Sequence, residues 1–245
     1  MYLLKKSLKI LAYSVIINQI IGGVCPMQKI KAVLFDLDGT INNTVNDIAA
    51  SGNYALAKHG FPTHPADSFK LFAGSGTYIM LQRAMPEEHK NDGSVELIID
   101  DYMAHYSVHS MDTTAPYDGI RELIDEIKAR GYKMAVVTNK PDAVAKQLIE
   151  DMFPGKFDAV IGQLDGMPVK PDPAMPLLAM KELGVTADEC VFVGDSGVDI
   201  ETGKNSGAYP IGVLWGFRGR EELLECGAKE LIEKPSELLD ILARR

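Results

Sequence analysis

Val33-Leu34-Phe35-Asp36-Leu37-Asp38-Gly39-Thr40 joins an apolar run to two acidic residues and a Gly-Thr turn. The run is short and rich in β-favouring residues, so residues 30–35 are predicted to form a buried strand. In an open α/β sheet, ligands bind at the carboxyl ends of the strands. Asp36 and Asp38 therefore lie where such a sheet places its ligand site.

Three further segments, far apart in the chain, also combine an apolar run with a reactive side chain. They supply a hydroxyl, an ammonium and two more carboxylates. In two of them, as after the first strand, the reactive group follows a predicted strand directly. These segments are Ala135-Val136-Val137-Thr138-Asn139, Val169-Lys170-Pro171-Asp172-Pro173 and Val191-Phe192-Val193-Gly194-Asp195-Ser196-Gly197-Val198-Asp199.

The pair Asp36 and Asp38 is suited to phosphoryl transfer. A carboxylate can attack phosphorus and form an aspartyl-phosphate, which divides hydrolysis into two steps. The first step needs an acid for the leaving oxygen and the second a base for water, and one residue can serve both. The pattern favours Asp36 as the nucleophile and Asp38 as the acid/base.

Attack by an anion on a phosphate dianion needs a neutralising cation. At 4 Å, two like charges repel by about 4 kcal/mol at an effective dielectric of 20. Mg²⁺ prefers carboxylate and phosphate oxygens, so a magnesium site is expected. Asp195 is the expected second metal carboxylate after Asp36, and Asp199 completes the shell directly or through water.

Other residues are candidates for binding the phosphate. Lys170 offers a point charge to the phosphate and the nucleophile, while Thr138 and the amides around Asn139 offer hydrogen bonds, as does the turn at Gly39. Each motif alone has a plainer explanation, such as a turn, a helix cap or a solvated loop. Their joint occurrence in this order favours the functional interpretation.

Composition narrows the class of protein. The 245 residues are 46% hydrophobic and 24% charged, with a net charge of −9 and scattered Lys and Arg residues. This balance is typical of a soluble globular protein and argues against a nucleic-acid partner. Cys25, Cys190 and Cys226 are too widely spaced to indicate a disulfide framework or a thiolate metal site.

Residues 1–26 form a separate segment with three lysines, an apolar stretch and no acidic residue. Its shape is similar to a signal peptide, but Asn18 and Gln19 interrupt the apolar part and no typical cleavage site follows. A misplaced start codon is the favoured interpretation, because Met27 leads directly into the first strand. An export or anchor segment and an extra helix are the alternatives.

The rest of the chain predicts an α/β fold with an insertion. Helices are expected at 44–59, 66–72, 77–85 and 94–109, with no strand between residues 41 and 113. Strands at 133–138, 159–161, 190–194, 209–213 and 231–232 then alternate with helices at 120–130, 142–152, 174–183, 198–205 and 236–243. This alternation predicts a parallel sheet covered on both faces, formed by residues 27–42 and 114–245, with a helical cap at 43–113.

From Met27 onward the chain resembles the haloacid dehalogenase superfamily, and within it the phosphoglycolate-phosphatase-like branch. The resemblance rests on Asp36 to Thr40, on Thr138, on Lys170 to Pro173 and on Gly194 to Asp199. It implies a Rossmann-like core with a small all-α cap. It also implies Mg²⁺ held by the side chains of Asp36 and Asp195 and the backbone carbonyl of Asp38.

Retention of Asp38 favours phosphatases over the ion-pumping ATPases of the superfamily. Gly74-Ser75-Gly76 is similar to a cap segment of phosphoglycolate phosphatases, and these residues are candidates for substrate specificity; a simple loop between helices is the alternative. Asn42-Asn43 departs from the family pattern, which often has an acid shortly after the Gly-Thr turn.

The sequence thus predicts a cytoplasmic, Mg²⁺-dependent phosphatase for a small phosphorylated metabolite, with 2-phosphoglycolate the leading candidate. A phosphosugar mutase of the β-phosphoglucomutase type and a pyrophosphate or nucleotide phosphatase are alternative enzymes. A regulatory protein that binds a phosphorylated ligand is the non-enzyme alternative. No membrane partner is expected unless residues 1–26 are an anchor.

Overall fold

The computed structural model of the protein describes residues 29–245, so the interpretations of residues 1–26 lie outside the described residues. Within the described part, every helix is too short or too polar to span a bilayer. Helices and strands alternate through most of it, as the sequence predicts.

A six-stranded parallel sheet forms the centre of the fold, in the order β5-β4-β1-β6-β7-β8. Its parallel strands and the helices that separate them along the chain confirm the predicted α/β class. The strands are β1 (Ala32–Phe35), β4 (Lys133–Pro141), β5 (Ala159–Gln163), β6 (Cys190–Gly194), β7 (Tyr209–Val213) and β8 (Glu230–Ile232).

Helices cover both faces of this sheet. Along β1, Val33 and Phe35 pack into one apolar cluster, while Ala32 and Leu34 pack into another. This alternation follows from the two-residue period of a strand, and it explains why the run is apolar on both faces. The covering helices are α5 (Ile120–Ala129), α6 (Asp142–Met152), α7 (Ala174–Leu183), α8 (Gly197–Ser206), α9 (Arg220–Glu225) and α10 (Glu237–Arg244).

Four helices form the inserted segment between β1 and β4. They share an apolar cluster of their own, with fully buried Leu56, Phe69, Leu81 and Ile98 among its members. The predicted helices are all present, whereas the domain boundaries at residues 43 and 113 stay a prediction. The helices are α1 (Val45–Lys58), α2 (Ala66–Phe72), α3 (Thr77–Ala84) and α4 (Ser94–His109).

Three local predictions are wrong. A short strand does exist within residues 41–113: β2 (Asn42–Asn43) pairs antiparallel with β3 (Ala115–Pro116). Two residues are too few to show the alternating pattern that predicts a strand, so this pairing could not be predicted. Strand β4 runs three residues further than predicted, to Pro141, with an irregular register after Val137. Helix α9 was not predicted.

Asp47 ties the two ends of the insertion together. Its buried carboxylate accepts hydrogen bonds from the backbone and hydroxyl groups of both Thr113 and Thr114, at 2.5–3.0 Å. Burial alone would raise the pKa of Asp47, but these hydrogen bonds outweigh it and lower the pKa. The contact fixes the start of α1 against the segment that leads back to the sheet.

Asn42 is an exception to the usual rule that buried polar groups are hydrogen-bonded. Its side chain is fully buried, and neither amide atom has a partner among the described residues. Replacing Asn42 with Leu should remove this desolvation cost and raise the free energy of unfolding by about 1–2 kcal/mol. The melting temperature should then rise by about 2–8 °C. Asn43→Leu, at the exposed neighbouring position, is the matched control, and an unchanged or lower Tm for Asn42→Leu would contradict the expectation.

Candidate active site

The carboxyl ends of three neighbouring strands form the candidate site. Strands β1, β4 and β6 are in register, with Phe35 opposite both Val136 and Val193. Asp36 directly follows β1 and Asp195 directly follows β6, one residue beyond the position opposite Asp36. The fold thus places residues from separated motifs at one edge, as expected for an open parallel sheet.

Lys170 lies between two of the predicted carboxylates. Its Nζ donates to Asp36 Oδ1 and to Asp199 Oδ1, both at 2.7 Å. All three side chains are at least 90% buried. Burial alone would lower the pKa of Lys170, but the carboxylates of Asp199 and Asp36 raise it above its ordinary value. Lys170 is therefore a permanent cation in the floor of the site.

Asp36, Asp195 and Asp199 form a cluster of buried carboxylates whose oxygens lie within 4.8 Å of one another. Burial and the charge of Asp199 raise the pKa of Asp36 to about 7, although Lys170 acts in the opposite direction. Burial, Asp199 and Asp36 likewise raise the pKa of Asp195 well above its ordinary value. One lysine does not neutralise the cluster, so a further cation would stabilise its ionised form.

The chain holds the Asp195 carboxylate from several sides. Thr40 Oγ1 donates to Oδ1 at 3.1 Å, and the backbone N–H of Phe217 donates to Oδ2 at 2.7 Å. Gly39 has a φ of 87°, and a Cβ at that position would come within 2.4 Å of the Asp195 carboxylate. Glycine is required here both for the turn and for the close approach.

Asp199 is held by the first turn of α8. Its Oδ2 accepts from the backbone N–H of Ser196 at 3.0 Å and from its hydroxyl at 2.6 Å, which forms a capping box. Its Oδ1 contacts Lys170. Both oxygens thus have partners, whereas for Asp36 no partner of Oδ2 is found among the described residues.

This donor set fits Mg²⁺. Hard oxygen ligands from several carboxylates are the ones that Mg²⁺ prefers, and the cluster provides them without any sulfur or imidazole nitrogen. Burial is the main cause of the raised pKa values of Asp36 and Asp195, and the negative charge of Asp199 adds to it in both. Three of the four predicted metal residues, Asp36, Asp195 and Asp199, are therefore brought together, and a role of Asp38 in holding the metal stays a prediction. Both oxygens of Asp199 also have other partners.

Mg²⁺ should stabilise the fold more at pH 8 than at pH 5. Because folding raises the pKa of Asp36 from 3.8 to about 7, the metal-free folded state holds a proton that the unfolded chain has lost. Its stability should therefore fall as the pH rises from 4 towards 7. Mg²⁺ offsets this loss where the carboxylates are ionised.

The measurement is the melting temperature with EDTA and with MgCl₂ at both pH values. Asp67→Asn is the control, because this carboxylate is 85% exposed and its loss should leave the Mg²⁺-induced shift unchanged. An equal shift at pH 5 and pH 8 would contradict the expectation.

Thr138 and Asn139 lie together at the end of β4 but differ in their contacts. Thr138 is buried and lines the cavity beside Asp36. The Asn139 amide is already engaged: Nδ2 donates to the carbonyls of Gly74 and Lys170, and Oδ1 accepts from the N–H of Lys170. Its side chain thus joins the inserted segment to the Lys170 loop.

A cavity of about 580 Å³, its open mouth included, lies above these residues. The inserted helices supply one wall, which includes two of the three predicted specificity residues, Gly74 and Gly76. Ser75 does not line the cavity, and its Oγ accepts from Arg83. The other residues of that wall are Ile48, Ala73, Thr77, Met80, Tyr102 and Tyr106.

Sequence reasoning missed Lys140. Its side chain is 1% exposed, and its Nζ donates to Asp38 Oδ1 at 2.8 Å and to the hydroxyl of Tyr106. The available signal was its position, directly after Thr138 and Asn139 at the end of a strand. A lysine before a proline is usually solvated, and only the fold shows that Tyr106 covers this one.

Two comparisons of sequence agree with this geometry. The model of the family described as haloacid dehalogenase-like hydrolase matches residues 33–213. A phosphoglycolate phosphatase of Pseudomonas syringae pv. tomato is 32% identical over 232 residues, which cover 93% of this chain and 81% of the relative. An N-acetylmuramic acid 6-phosphate phosphatase of Pseudomonas aeruginosa is 32% identical over 219 residues, covering 89% of this chain and 96% of the relative.

Solved structures share the fold. A protein of Lactobacillus delbrueckii subsp. bulgaricus, itself only a candidate phosphoglycolate phosphatase, superposes with a TM-score of 0.83 at 33% identity, covering 87% of this chain and 98% of its own. A phosphatase assigned by prediction from Clostridium acetobutylicum gives a TM-score of 0.78 at 28% identity, covering 89% and 100%.

Proposed function

We propose that this chain, which belongs to the haloacid dehalogenase-like hydrolases and is a phosphoric monoester hydrolase of the phosphoglycolate-phosphatase-like branch, works through an aspartyl-phosphate and requires Mg²⁺. The observation that carries the mechanism is the pair Asp36 and Asp38 at one strand end, each with a buried lysine at hydrogen-bond distance. A carboxylate nucleophile and a carboxylate acid/base need different surroundings: Asp36 belongs to the buried cluster with Asp195 and Asp199, whereas Asp38 lies outside it and is more exposed.

In the first step a carboxylate oxygen of Asp36 attacks the phosphorus, a new P–O bond forms, and the bond to the leaving oxygen breaks. Asp38 gives its proton to that oxygen, so the alcohol leaves neutral. Lys170, at 2.7 Å from Asp36 Oδ1, fixes the orientation of the nucleophile. The other oxygen of Asp36, which has no partner among the described residues, is the one free to attack.

In the second step the Asp38 carboxylate takes a proton from water, and the water attacks the phosphorus of the aspartyl-phosphate. The P–O bond to Asp36 breaks, and inorganic phosphate leaves. Thr138 lines the cavity between β1 and β4 and is positioned to donate a hydrogen bond to a phosphate oxygen. The enzyme then returns to its starting protonation, because Asp38 regains the proton that it gave.

Mg²⁺ would be held by the side chains of Asp36 and Asp195 and by the backbone carbonyl of Asp38, with Asp199 completing the site directly or through water. When bound it neutralises the charge gathered on these carboxylates and the phosphate. Lys170 carries one positive charge, whereas the cluster contains three buried carboxylates whose oxygens lie within 4.8 Å of one another. The proposed requirement for a metal rests on this imbalance.

The proposed substrate is a small phosphomonoester in the cytoplasm, with 2-phosphoglycolate the leading candidate. Phosphoglycolate phosphatases are among the relatives at about 30% identity over most of the chain. The second candidate is N-acetylmuramic acid 6-phosphate, because a phosphatase of that name is as similar to this chain.

The test is phosphate release from a panel of small phosphomonoesters, N-acetylmuramic acid 6-phosphate and pyrophosphate, with Mg²⁺ and with EDTA. The expected result is Mg²⁺-dependent release that is fastest with 2-phosphoglycolate. Fastest release from the amino sugar phosphate would select the second candidate. No release from any compound, or turnover only when a sugar bisphosphate is added, would overturn the proposal in favour of a binding protein or a mutase.

A further inference from the structure

Lys140 is one of two basic side chains that line the cavity among the described residues; the other is Arg218. Both belong to the sheet side of the cavity, and they differ in what their nitrogen atoms contact. This difference decides which of them can bind a further anionic group of the substrate.

The Arg218 guanidinium is occupied by the chain itself. It donates to the backbone carbonyls of Lys70, Leu71 and Ala73 at the end of α2, and its Nε lies 3.3 Å from the Glu222 carboxylate. These contacts cap a helix end, where cations are favoured. Arg218 therefore holds the inserted segment against the loop after β7.

The Lys140 ammonium is only partly occupied. A lysine has three N–H donors, and within residues 29–245 Nζ contacts two acceptors, Asp38 Oδ1 and the Tyr106 hydroxyl. Its side chain is 1% exposed, yet it lines the cavity. A buried ammonium with an unused donor gains most from an anion, because little water reaches it.

Lys140 also lies close to the place that the leaving oxygen of the substrate would occupy. In the proposed function Asp38 donates a proton to the leaving oxygen, which must then lie within hydrogen-bond reach of Asp38, about 3 Å. Lys140 Nζ is itself 2.8 Å from Asp38. In a 2-phosphocarboxylate, the carbon that carries the leaving oxygen also carries the carboxylate, so the leaving oxygen can contact Asp38 while the carboxylate contacts Lys140.

We propose that Lys140 is the specificity-determining residue that binds a carboxylate attached to the carbon bearing the phosphoryl oxygen. This inference rests on the proposed function. Tyr102 and Tyr106 close the space beyond Lys140 with aromatic rings, and neither can supply a second positive charge.

The experiment compares kcat/KM for 2-phosphoglycolate and for 2-hydroxyethyl phosphate, in which a CH₂OH group replaces the carboxylate. Wild-type protein should prefer 2-phosphoglycolate by roughly 10- to 150-fold, the value of one charge-assisted hydrogen bond. Lys140→Met should remove most of this preference. Both substrates should lose a common factor in kcat/KM, because Asp38 also loses a partner, so the ratio of the two values is the readout.

Two variants serve as controls. Lys146→Met makes the same change at a half-exposed lysine of α6 that pairs with Asp142, and the ratio should stay at its wild-type value. Tyr106→Phe removes the hydroxyl partner of Lys140 but keeps the ammonium, so the preference should remain. If Lys140→Met does not fold, the wild-type ratio and the Tyr106→Phe ratio still test the inference.

The outcomes separate the inference from the proposed function. Equal kcat/KM values for the two substrates in the wild type, or an unchanged ratio in Lys140→Met, would overturn the role of Lys140 while leaving a working phosphatase. Absence of Mg²⁺-dependent phosphate release from every phosphomonoester would instead overturn the proposed function.

Discussion

Asp36→Asn should abolish phosphate release, with kcat reduced by about 10⁵-fold or more, which is the scale seen when a covalent nucleophile is removed. The amide has nearly the shape of the carboxylate but cannot form the acyl-phosphate bond. The fold should survive, because an uncharged group at this position avoids the cost of burying a charge and the repulsion from Asp199, which together raise the pKa of Asp36.

Phosphate release under saturating substrate and the melting temperature are the measurements. Asp67→Asn makes the same substitution at an exposed carboxylate and should retain wild-type kcat. Substantial turnover by Asp36→Asn would sink the assignment of the nucleophile. Loss of folding would leave the assignment to a chemical test, in which acid-quenched wild-type protein should carry a labelled phosphoryl group on Asp36.

The site was predictable from the sequence where reactive residues follow a recognisable strand. Asp36 and Asp195 follow apolar runs of β1 and β6, and parallel strands bring their carboxyl ends to one edge. Lys170 follows no strand, and its predicted role beside the phosphate and the nucleophile rested on its charge and on the joint occurrence of the four motifs. The contact at 2.7 Å agrees with that expectation, whereas the chemical roles of these residues stay a prediction.

The rest depended on contacts between residues distant in the chain. Lys140 is buried because Tyr106, 34 positions earlier, covers it, and no local pattern encodes that meeting. The same is true of the Asn139 side-chain amide, whose contacts with Gly74 and Lys170 join residues far apart in the chain. Pairing of β2 with β3 likewise joins two dipeptides that carry no periodic signal.

These long-range contacts share a feature. Asn139 and Lys140 are consecutive, and each links the inserted segment to the candidate site. Asn139 contacts Gly74 of the inserted segment and Lys170, which is the partner of Asp36. Lys140 contacts Tyr106 of the inserted segment and Asp38. The end of β4 is thus where the inserted helices meet the two-aspartate centre. Substitutions of Gly74 or Tyr106 should therefore change the positions of Lys170 and Asp38 in the candidate site.

Lys170→Met should cause the largest loss of stability among single substitutions in the site. It removes the cation that lies 2.7 Å from both Asp36 and Asp199, in surroundings where all three side chains are nearly inaccessible. Breaking a buried ion pair by removing one partner costs about 3–5 kcal/mol, because the remaining charge is left without compensation. For a chain of this length, that corresponds to a Tm lower by about 6–20 °C.

The metal should reveal the electrostatic origin of this loss. If the cost is uncompensated negative charge, MgCl₂ should raise the Tm of Lys170→Met more than that of the wild type, since the dication supplies part of the missing charge to the same carboxylates. Activity should stay at least about 10³-fold below wild type even then, because the nucleophile has lost the group that orients it. Lys156→Met, which breaks an exposed pair with Asp125, should change Tm by about 2–4 °C at most. An equal Mg²⁺-induced shift in Lys170→Met and wild type would show that Lys170 acts by packing rather than by charge.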